Sequence, residues 1–185
     1  MNPGATSKEA IMQVCRRIAA QEGLSALNMR AVARECGVAL GTLYNYYADK
    51  DALLIATVES IWREIFHMDG NGLIERPFPE RIAHLFDCIQ RGADRYPGFL
   101  SAHSVVIAGA RRGEARQAME ACFAHMRSGL LAGLDADPAV NPAAFSDAFT
   151  PEGLVDFALD HLLLLLMKGE GDCAFLTEML RRAIR

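Results

Sequence analysis

The sequence predicts an all-α protein, and its composition and periodicity are the evidence. Of its 185 residues, 51% are hydrophobic, proline is scarce, and alanine, leucine, arginine and glutamate are plentiful. That balance is typical of soluble helical proteins. Apolar residues recur at helical spacing along several segments, whereas no segment alternates apolar and polar residues with a period of two. The length is sufficient for a substantial hydrophobic core.

The first helix is predicted to follow a short N-terminal arm, residues 1–5. Residues 6–9 read Thr-Ser-Lys-Glu, which is a capping box with Thr6 as the cap and Glu9 three residues after it. Gly23 is expected to end this helix. Its apolar stripe consists of Ile11, Val14, Cys15, Ile18 and Ala19.

The second and third helices are predicted over residues 28–36 and 40–46, joined by a tight turn at Gly37. Asn28 provides the N-cap of the second helix, and Gly37 can adopt the left-handed conformation that ends it. Ala33 is small enough to let the two helices approach each other. The apolar residues that hold them together are Val32, Cys36, Val38 and Leu43. This pattern predicts a helix-turn-helix.

The third helix also carries polar and aromatic side chains that are free to face outward. They are Thr42, Tyr44, Asn45, Tyr46 and Tyr47. Because tyrosines are usually at least half buried, a short helix that exposes several of them is poorly explained by its own stability. A tyrosine hydroxyl reaches a DNA phosphate, its ring packs on sugar or thymine methyl groups, and asparagine pairs with base edges. The sequence therefore predicts a DNA-binding surface, with the alternative that Tyr47 packs against the first helix.

Six further helices bring the predicted total to about nine. Asp49 caps the fourth helix, Pro79 begins the fifth, Pro97 separates the fifth from the sixth, and Thr150 and Pro151 begin the eighth. The predicted ranges are 49–66, 79–96, 97–110, 114–134, 150–168 and 173–184. We therefore expect an N-terminal three-helix domain, residues 1–48, and a C-terminal helical domain, residues 49–185.

The charge is unevenly distributed between these two regions. Residues 1–50 carry six basic and four acidic side chains, whereas residues 51–185 carry thirteen and nineteen. The net charge of −4 thus conceals a weakly positive N-terminal region. This polarity agrees with a DNA-facing N-terminus, and the small excess predicts few phosphate contacts and a shallow salt dependence.

Other classes of protein are disfavoured by what the sequence lacks. The five cysteines are odd in number and form no CxxC motif, so neither a disulfide framework nor a zinc site is indicated, although a redox-sensing thiol stays possible. The five histidines form no metal-binding pair, and no nucleophile lies beside a base, so we expect no metal, no cofactor and no enzymatic activity. The N-terminus has no secretory signal, and charged residues interrupt the most apolar segment, residues 154–167. These features favour a cytoplasmic protein.

The segment GVALGTLYNYYADKDALL, together with the capped first helix and the long fourth helix, resembles the tetracycline-repressor (TetR) family of bacterial transcriptional regulators. The resemblance covers about residues 7–62, and the rest of the chain matches only as a helical region of suitable length. It implies that the third helix enters the major groove. It also implies DNA contacts by Asn28, Arg30, Leu40, Gly41, Thr42, Tyr44, Asn45, Tyr46 and Lys50. Leu40 and Gly41 differ from the polar or bulky residues often found at those positions in the family.

The resemblance further implies a ligand-responsive regulator, most simply a repressor, that binds a palindromic operator as a dimer and is released by a small apolar or amphipathic molecule. The aromatic and sulfur-containing side chains of the C-terminal region are first of all core residues, and the family adds that such helices enclose a ligand cavity. The candidate pocket residues are Trp62, Phe66, Phe86, Ile89, Phe99, His103, Met119, Phe123, Met126, Phe157 and His161. For His103 and His161, the residue type on an apolar helix favours a hydrogen-bonded core histidine over a pocket residue.

A dimer is also predicted from the residues themselves. The leucines of residues 162–166 surround the whole helix, which a monomer surface could not tolerate. The candidate interface residues are Leu162, Leu163, Leu165, Leu166, Phe175, Leu176, Met179 and Leu180. The alternative function is a DNA-binding module whose C-terminal core is filled and which is controlled by a protein partner or by no inducer.

Overall fold

The computed structural model describes residues 6–67, 76–101 and 112–185, which form an all-α fold. The helices are α1 (Lys8–Glu22), α2 (Met29–Glu35), α3 (Leu40–Tyr44), α4 (Lys50–His67), α5 (Phe78–Arg95), α6 (Arg112–Asp135), α7 (Pro151–Lys168) and α8 (Ala174–Ala183). Short 3-10 turns lie at Leu24–Ala26 and Pro142–Ala144, and residues 99–101 are also helical. The described ranges contain no β-strand apart from one isolated bridge between Ser146 and Phe149. The predicted fold class is confirmed.

Side-chain caps fix where most of these helices begin. Asn28 Oδ1 accepts a hydrogen bond from the backbone N–H of Ala31 at 2.8 Å, and Asp49 Oδ1 accepts from Ala52 at 2.8 Å. Thr150 Oγ1 likewise accepts from Gly153 at 3.0 Å. The predicted caps Asn28 and Asp49 are confirmed, as is the predicted helix start at Thr150. Each satisfies one of the backbone donors that have no partner at a helix start.

The predicted cap of α1 was wrong by one residue. Ser7, rather than Thr6, has extended backbone angles and accepts from the N–H of Ala10 at 3.1 Å. Both residue types can cap, so local sequence does not separate them. At the other end Gly23 adopts a φ of +81° and ends the helix as predicted.

The helix-turn-helix forms at the predicted place, and Gly37 has the predicted left-handed conformation, but the end of α3 and the burial of two residues differ from the prediction. Gly37 adopts a φ of +67° at the turn, and α3 ends at Tyr44, two residues earlier than predicted. Val32 and Leu43 are fully buried between the helices, whereas Cys36 and Val38 are only half-buried.

The described residues fold into two compact units, one within residues 1–64 and 92–120, and one within residues 65–91 and 121–185. The first has a core that includes Ile11, Cys15, Val32, Leu43, Leu53, Val58, Ile61, Trp62 and Phe99. The second has a core that includes Phe78, Ile82, Phe86, Ile89, Leu130, Leu134, Val155, Leu162 and Leu176. The functional domain boundary after residue 48 stays a prediction.

In the second unit, Asp137 caps α5 from a distant part of the sequence. Its buried carboxylate accepts from the N–H of Phe78 at 2.6 Å and from the N–H of Ala139 at 2.9 Å.

In the same unit, the backbone of Gly133 lies against the buried side chain of Arg81. A Cβ atom added to Gly133 would overlap Nη1 of Arg81 and lie 2.8 Å from its Cζ. The bare glycine backbone is what leaves room for this guanidinium.

The leucine-rich α7 ends at Gly169, whose φ is +73°. Across the described ranges, every helix is either too short or too polar to cross a membrane.

Candidate nucleic-acid interface

The short helix α3 separates one buried residue from several exposed ones. Leu43 is fully buried, whereas the side chain of the neighbouring Tyr44 is 48% exposed. Asn45 and Gly41 are also exposed, and Leu40 and Thr42 are half-buried. Because successive residues of a helix point in directions about 100° apart, anchoring Leu43 in the core turns Tyr44 and Asn45 away from it.

Tyr47 does not belong to this exposed surface. Its side chain is 8% exposed, so the prediction that it faces outward was wrong and the packing alternative holds. Tyr47 lies four residues after Leu43, and its N–H donates to the Leu43 carbonyl at 3.0 Å, so both side chains point to the same side. Burial raises the pKa of Tyr47 to about 12.

Tyr46 is partly accessible at the surface and also makes a hydrogen bond within the fold. It is half-buried, and its hydroxyl donates a hydrogen bond to the carbonyl oxygen of Thr6 at 2.6 Å. This contact fixes the segment that precedes α1. The outward placement predicted for Tyr46 is therefore met only in part.

The side-chain amide of Asn28 is exposed, but both of its ends already make hydrogen bonds to the backbone. While Oδ1 caps α2, Nδ2 donates to the carbonyl of Ala26 at 3.1 Å. Its first role is thus to fix the start of α2, the helix that carries the exposed Arg30.

Ion pairing divides the basic residues of the N-terminal region into two groups. Arg16 pairs with Glu9 and Glu64, and Arg17 pairs with Glu35 at 2.9 Å. By contrast, Arg30 and Lys50 are exposed and have no ion-pair partner within the described ranges. Lys50 begins α4, where the helix dipole disfavours a cation. These two side chains remain available for an anionic partner.

A cluster around Glu64 was not predicted from the sequence. Glu64 accepts from Arg16 Nε at 3.1 Å, from Arg95 Nη1 at 2.8 Å and from the Tyr96 hydroxyl at 2.9 Å. Burial, followed by the hydrogen bond to Glu64, raises the pKa of Tyr96 to about 12. The cluster joins α1 to α4 and to the end of α5. No local pattern could have indicated it, because its members lie far apart along the chain.

The predicted pocket residues fall into separate groups. Trp62 contacts Phe99 with ring centroids 4.9 Å apart, and both side chains are fully buried. Phe66 and Phe123 lie 6.4 Å apart, edge to face. Phe86 and Ile89 are buried, and Met126 is half-buried. His103 and the side chain of Met119 lie outside the described residues.

Phe157 lies on the surface rather than in the interior. It is 46% exposed and stacks on His161, with ring centroids 5.6 Å apart.

The predicted dimer residues divide between the core and the surface. Leu162, Leu166, Leu176 and Leu180 are buried within the chain itself, and Leu163 and Leu165 are half-buried. Phe175 and Met179 are exposed, as are two residues that the prediction missed, Leu164 and Met167. Because residues 162–166 are all leucine, the hydrophobic periodicity does not show which face of α7 points outward.

The described cysteines are free thiols, namely Cys15, Cys36, Cys88 and Cys173. Burial raises the pKa of Cys15 and of Cys173 to about 11, which disfavours the reactive thiolate. Burial also raises the pKa of the half-buried Cys36.

The N-terminal part of the chain is similar to known proteins. Residues 11–57 match the sequence profile of the bacterial regulatory proteins of the tetR family. An uncharacterized HTH-type transcriptional regulator of Haemophilus influenzae is 46% identical over 72 residues, which are 39% of this chain and 36% of that protein. The transcriptional regulator BetI of Rhizobium meliloti is 27% identical over 131 residues, 70% of this chain and 64% of that protein. The transcriptional repressor KstR of Rhodococcus jostii is 31% identical over 90 residues, 49% and 42% of the two chains.

These matches therefore span between 36% and 64% of the length of the curated relatives. Solved structures share the fold over nearly the whole chain. BioQ with its natural double-stranded DNA operator has a TM-score of 0.65 at 18% identity, covering 97% of this chain and 98% of that one. FadR from Bacillus subtilis with stearoyl-CoA has a TM-score of 0.61 at 15% identity, covering 96% and 98%. Residues 11–57 of this chain are therefore similar to the bacterial regulatory proteins of the tetR family, and the chain as a whole shares the fold of these solved structures.

Proposed function

We propose that this chain is a transcriptional repressor that binds a palindromic DNA operator as a homodimer and is released by a small apolar or amphipathic molecule. One observation carries the DNA-binding part of this proposal. The helix α3 buries Leu43 and leaves Tyr44 and Asn45 exposed, in a region that also exposes the cations Arg30 and Lys50.

The chemistry of these side chains suits a DNA duplex. Tyr44 is rigid and offers both a ring for sugar or methyl contacts and a hydroxyl for phosphate, while Asn45 offers a donor and an acceptor to base edges. Arg30 and Lys50 would contact phosphates. Because Arg16 and Arg17 are already paired with carboxylates, few cations are available, and we expect a shallow dependence of affinity on salt.

Selection from a random duplex library tests DNA binding and identifies the operator in the same experiment. The purified chain should enrich palindromic sequences, with half-site centres separated by about one DNA turn, ~34–36 Å. Tyr44→Ala should enrich them about 10- to 100-fold less, because each exposed contact contributes about 1–3 kcal/mol. Its melting temperature should stay nearly unchanged, since the side chain is half exposed. Equal enrichment by Tyr44→Ala and the unmodified chain would contradict this role for α3.

The exposed apolar residues of the last two helices support the homodimer. Phe157, Leu164 and Met167 on α7 and Phe175 and Met179 on α8 are all exposed, and Phe175 is 76% exposed. Exposed apolar patches on soluble proteins commonly mark interaction sites. A two-fold contact through them would present two copies of α3 to the two half-sites of a palindrome.

Phe175→Arg should convert the dimer into a monomer, because it would bury a charge without a partner at the interface. Light scattering at micromolar concentration should give twice the 20.2 kDa chain mass for the unmodified protein and the single chain mass for the variant. Gln21→Arg adds the same charge at an exposed site on α1 and should leave the dimer intact. A monomeric mass for the unmodified protein would refute the homodimer.

Two observations support a small-molecule effector. The C-terminal region, residues 49–185, contains several aromatic side chains, and a solved structure of similar fold contains stearoyl-CoA. The close packing of Trp62 against Phe99 instead favours the alternative of a filled core with no inducer. The continuous helix α4 carries Lys50 at its first turn and Phe66 near its last, so a tilt caused by a ligand at Phe66 would move Lys50.

Reciprocal coupling distinguishes a regulated pocket from a filled core. The dye 1-anilinonaphthalene-8-sulfonate should bind the native chain, and saturating operator DNA should weaken that binding by the factor with which the dye weakens DNA binding. A coupling free energy of about 1–3 kcal/mol would change each affinity about 5- to 150-fold. Dye affinity that is the same with and without operator would contradict a pocket coupled to DNA binding.

A further inference from the structure

The outward face of α7 is symmetric about Leu164. Phe157, Asp160, Leu164, Met167 and Lys168 are exposed on it, and the half-buried His161 stacks on Phe157. At about 100° per residue, all of these side chains project within about 60° of the direction of Leu164. Asp160 and Lys168 lie four residues before and after Leu164. His161 and Met167 lie three residues before and after it.

The two charges on this face are opposite in sign. Neither Asp160 nor Lys168 has an ion-pair partner in the part of the chain that the structure describes. In a two-fold contact, if residue i faces residue j, then j faces i. An antiparallel pair of α7 helices with its axis at Leu164 brings each Asp160 against Lys168 of the partner subunit. Moving the axis by one turn in either direction would bring one of these charges close to its own symmetry mate.

A groove at the start of α7 supports the same register independently. It has a volume of about 370 Å³ and is lined by apolar side chains that include Phe149, Leu154, Phe157 and Met179. In the register centred on Leu164, Phe157 faces residue 171 of the partner subunit, just before its α8. The first turn of α8 carries Phe175, the most exposed large apolar side chain among the described residues. The register therefore brings the partner's Phe175 to the groove beside Phe157.

We propose that this chain dimerises with α7 antiparallel to α7 of the partner subunit about an axis at Leu164, and that each Phe175 occupies the apolar groove of the other subunit. This inference rests on the proposed homodimer and specifies its geometry. The charge pairs are exposed at the edge of the contact, so they set the register more than the affinity. The two buried Phe175 side chains supply affinity, because aromatic residues seated in pockets dominate interfaces.

Cysteine cross-linking tests the position of the axis. Leu164→Cys in the full chain should form a covalent dimer on mild oxidation with copper phenanthroline, because residues at a two-fold axis come within disulfide distance. Glu152→Cys is a matched control, exposed on the same helix. Its symmetry mate would lie about 36 Å away, and it should give no covalent dimer. The native cysteines are common to both variants, so the difference between them reports the axis.

Charge exchange tests the pairing across the axis. Asp160→Lys and Lys168→Asp should each weaken dimerisation several-fold, because like charges then meet twice in each dimer, and the double variant should restore it. Phe175→Ala should raise the dimer Kd at least about 100-fold, since two anchors are lost together. Sedimentation analysis gives each Kd, and circular dichroism verifies folding.

The outcomes separate the register from the homodimer on which it rests. If the unmodified chain sediments as a monomer, the homodimer itself is refuted. If it is a dimer but Leu164→Cys does not cross-link, or the double charge variant is no tighter than the single ones, the register is refuted while the homodimer stands. Cross-linking at residue 164 together with charge rescue supports the register.

Discussion

Leu43→Ala should unfold the helix-turn-helix at temperatures at which the rest of the chain remains folded. Leu43 is fully buried between α2 and α3, and α3 has five residues, so few other contacts hold it. Truncating a buried leucine removes its transfer free energy and leaves a cavity, which together cost about 2–5 kcal/mol of unfolding free energy. Urea denaturation followed by circular dichroism measures this loss, and the variant should also fail to bind selected DNA.

The adjacent residue provides the control. Tyr44→Ala should change the unfolding free energy by no more than about 0.5 kcal/mol, because it alters an exposed side chain. Leu43→Met nearly conserves volume and should cost less than about 1.5 kcal/mol. If Tyr44→Ala destabilised the chain as much as Leu43→Ala, the assignment of Tyr44 to the outer surface would be wrong.

Asp137→Ala should destabilise the second unit by about 2–4 kcal/mol. The carboxylate accepts one backbone hydrogen bond from Phe78 at the start of α5 and one from Ala139, and without it the N–H of Phe78 would be left buried without a partner. Hydrogen bonds to charged groups contribute about 1.5–3 kcal/mol, and an unsatisfied buried donor costs about 1–3 kcal/mol. Chemical denaturation measures the change.

Asp137→Asn keeps one acceptor oxygen and should lose about half as much stability as Asp137→Ala. A carboxylate at a helix start is also favoured by the helix dipole, which the amide does not exploit. Equal stability of Asp137→Ala and the unmodified chain would show that the cap of α5 is dispensable.

The features predicted correctly are those encoded within one helical turn. The caps Asn28, Asp49 and Thr150 each act on a backbone N–H three residues later, so a short sequence window contains the whole interaction. Tyr47 could also have been predicted from the window, because it lies four residues after the buried Leu43.

The remaining features depend on contacts between distant parts of the chain. Thr6 and Ser7 are both capable of capping α1, and the structure places the carbonyl of Thr6 against the hydroxyl of Tyr46 instead. Asp137 reaches α5 from 59 residues away, and the partners of Glu64 come from α1 and from the end of α5. The exposed face of α7 depends on which leucines the rest of the unit buries. These contacts cannot be predicted from residues that are neighbours in the sequence.

The space at Gly133 links two positions that are 52 residues apart in the sequence. Any side chain at position 133 would occupy the volume now filled by the guanidinium of Arg81. Descendants of this gene could therefore acquire a larger residue at 133 only after, or together with, a shorter one at 81. During evolution the two positions should change as a pair. A mutation at either one should be tolerated or rejected according to the residue already present at the other.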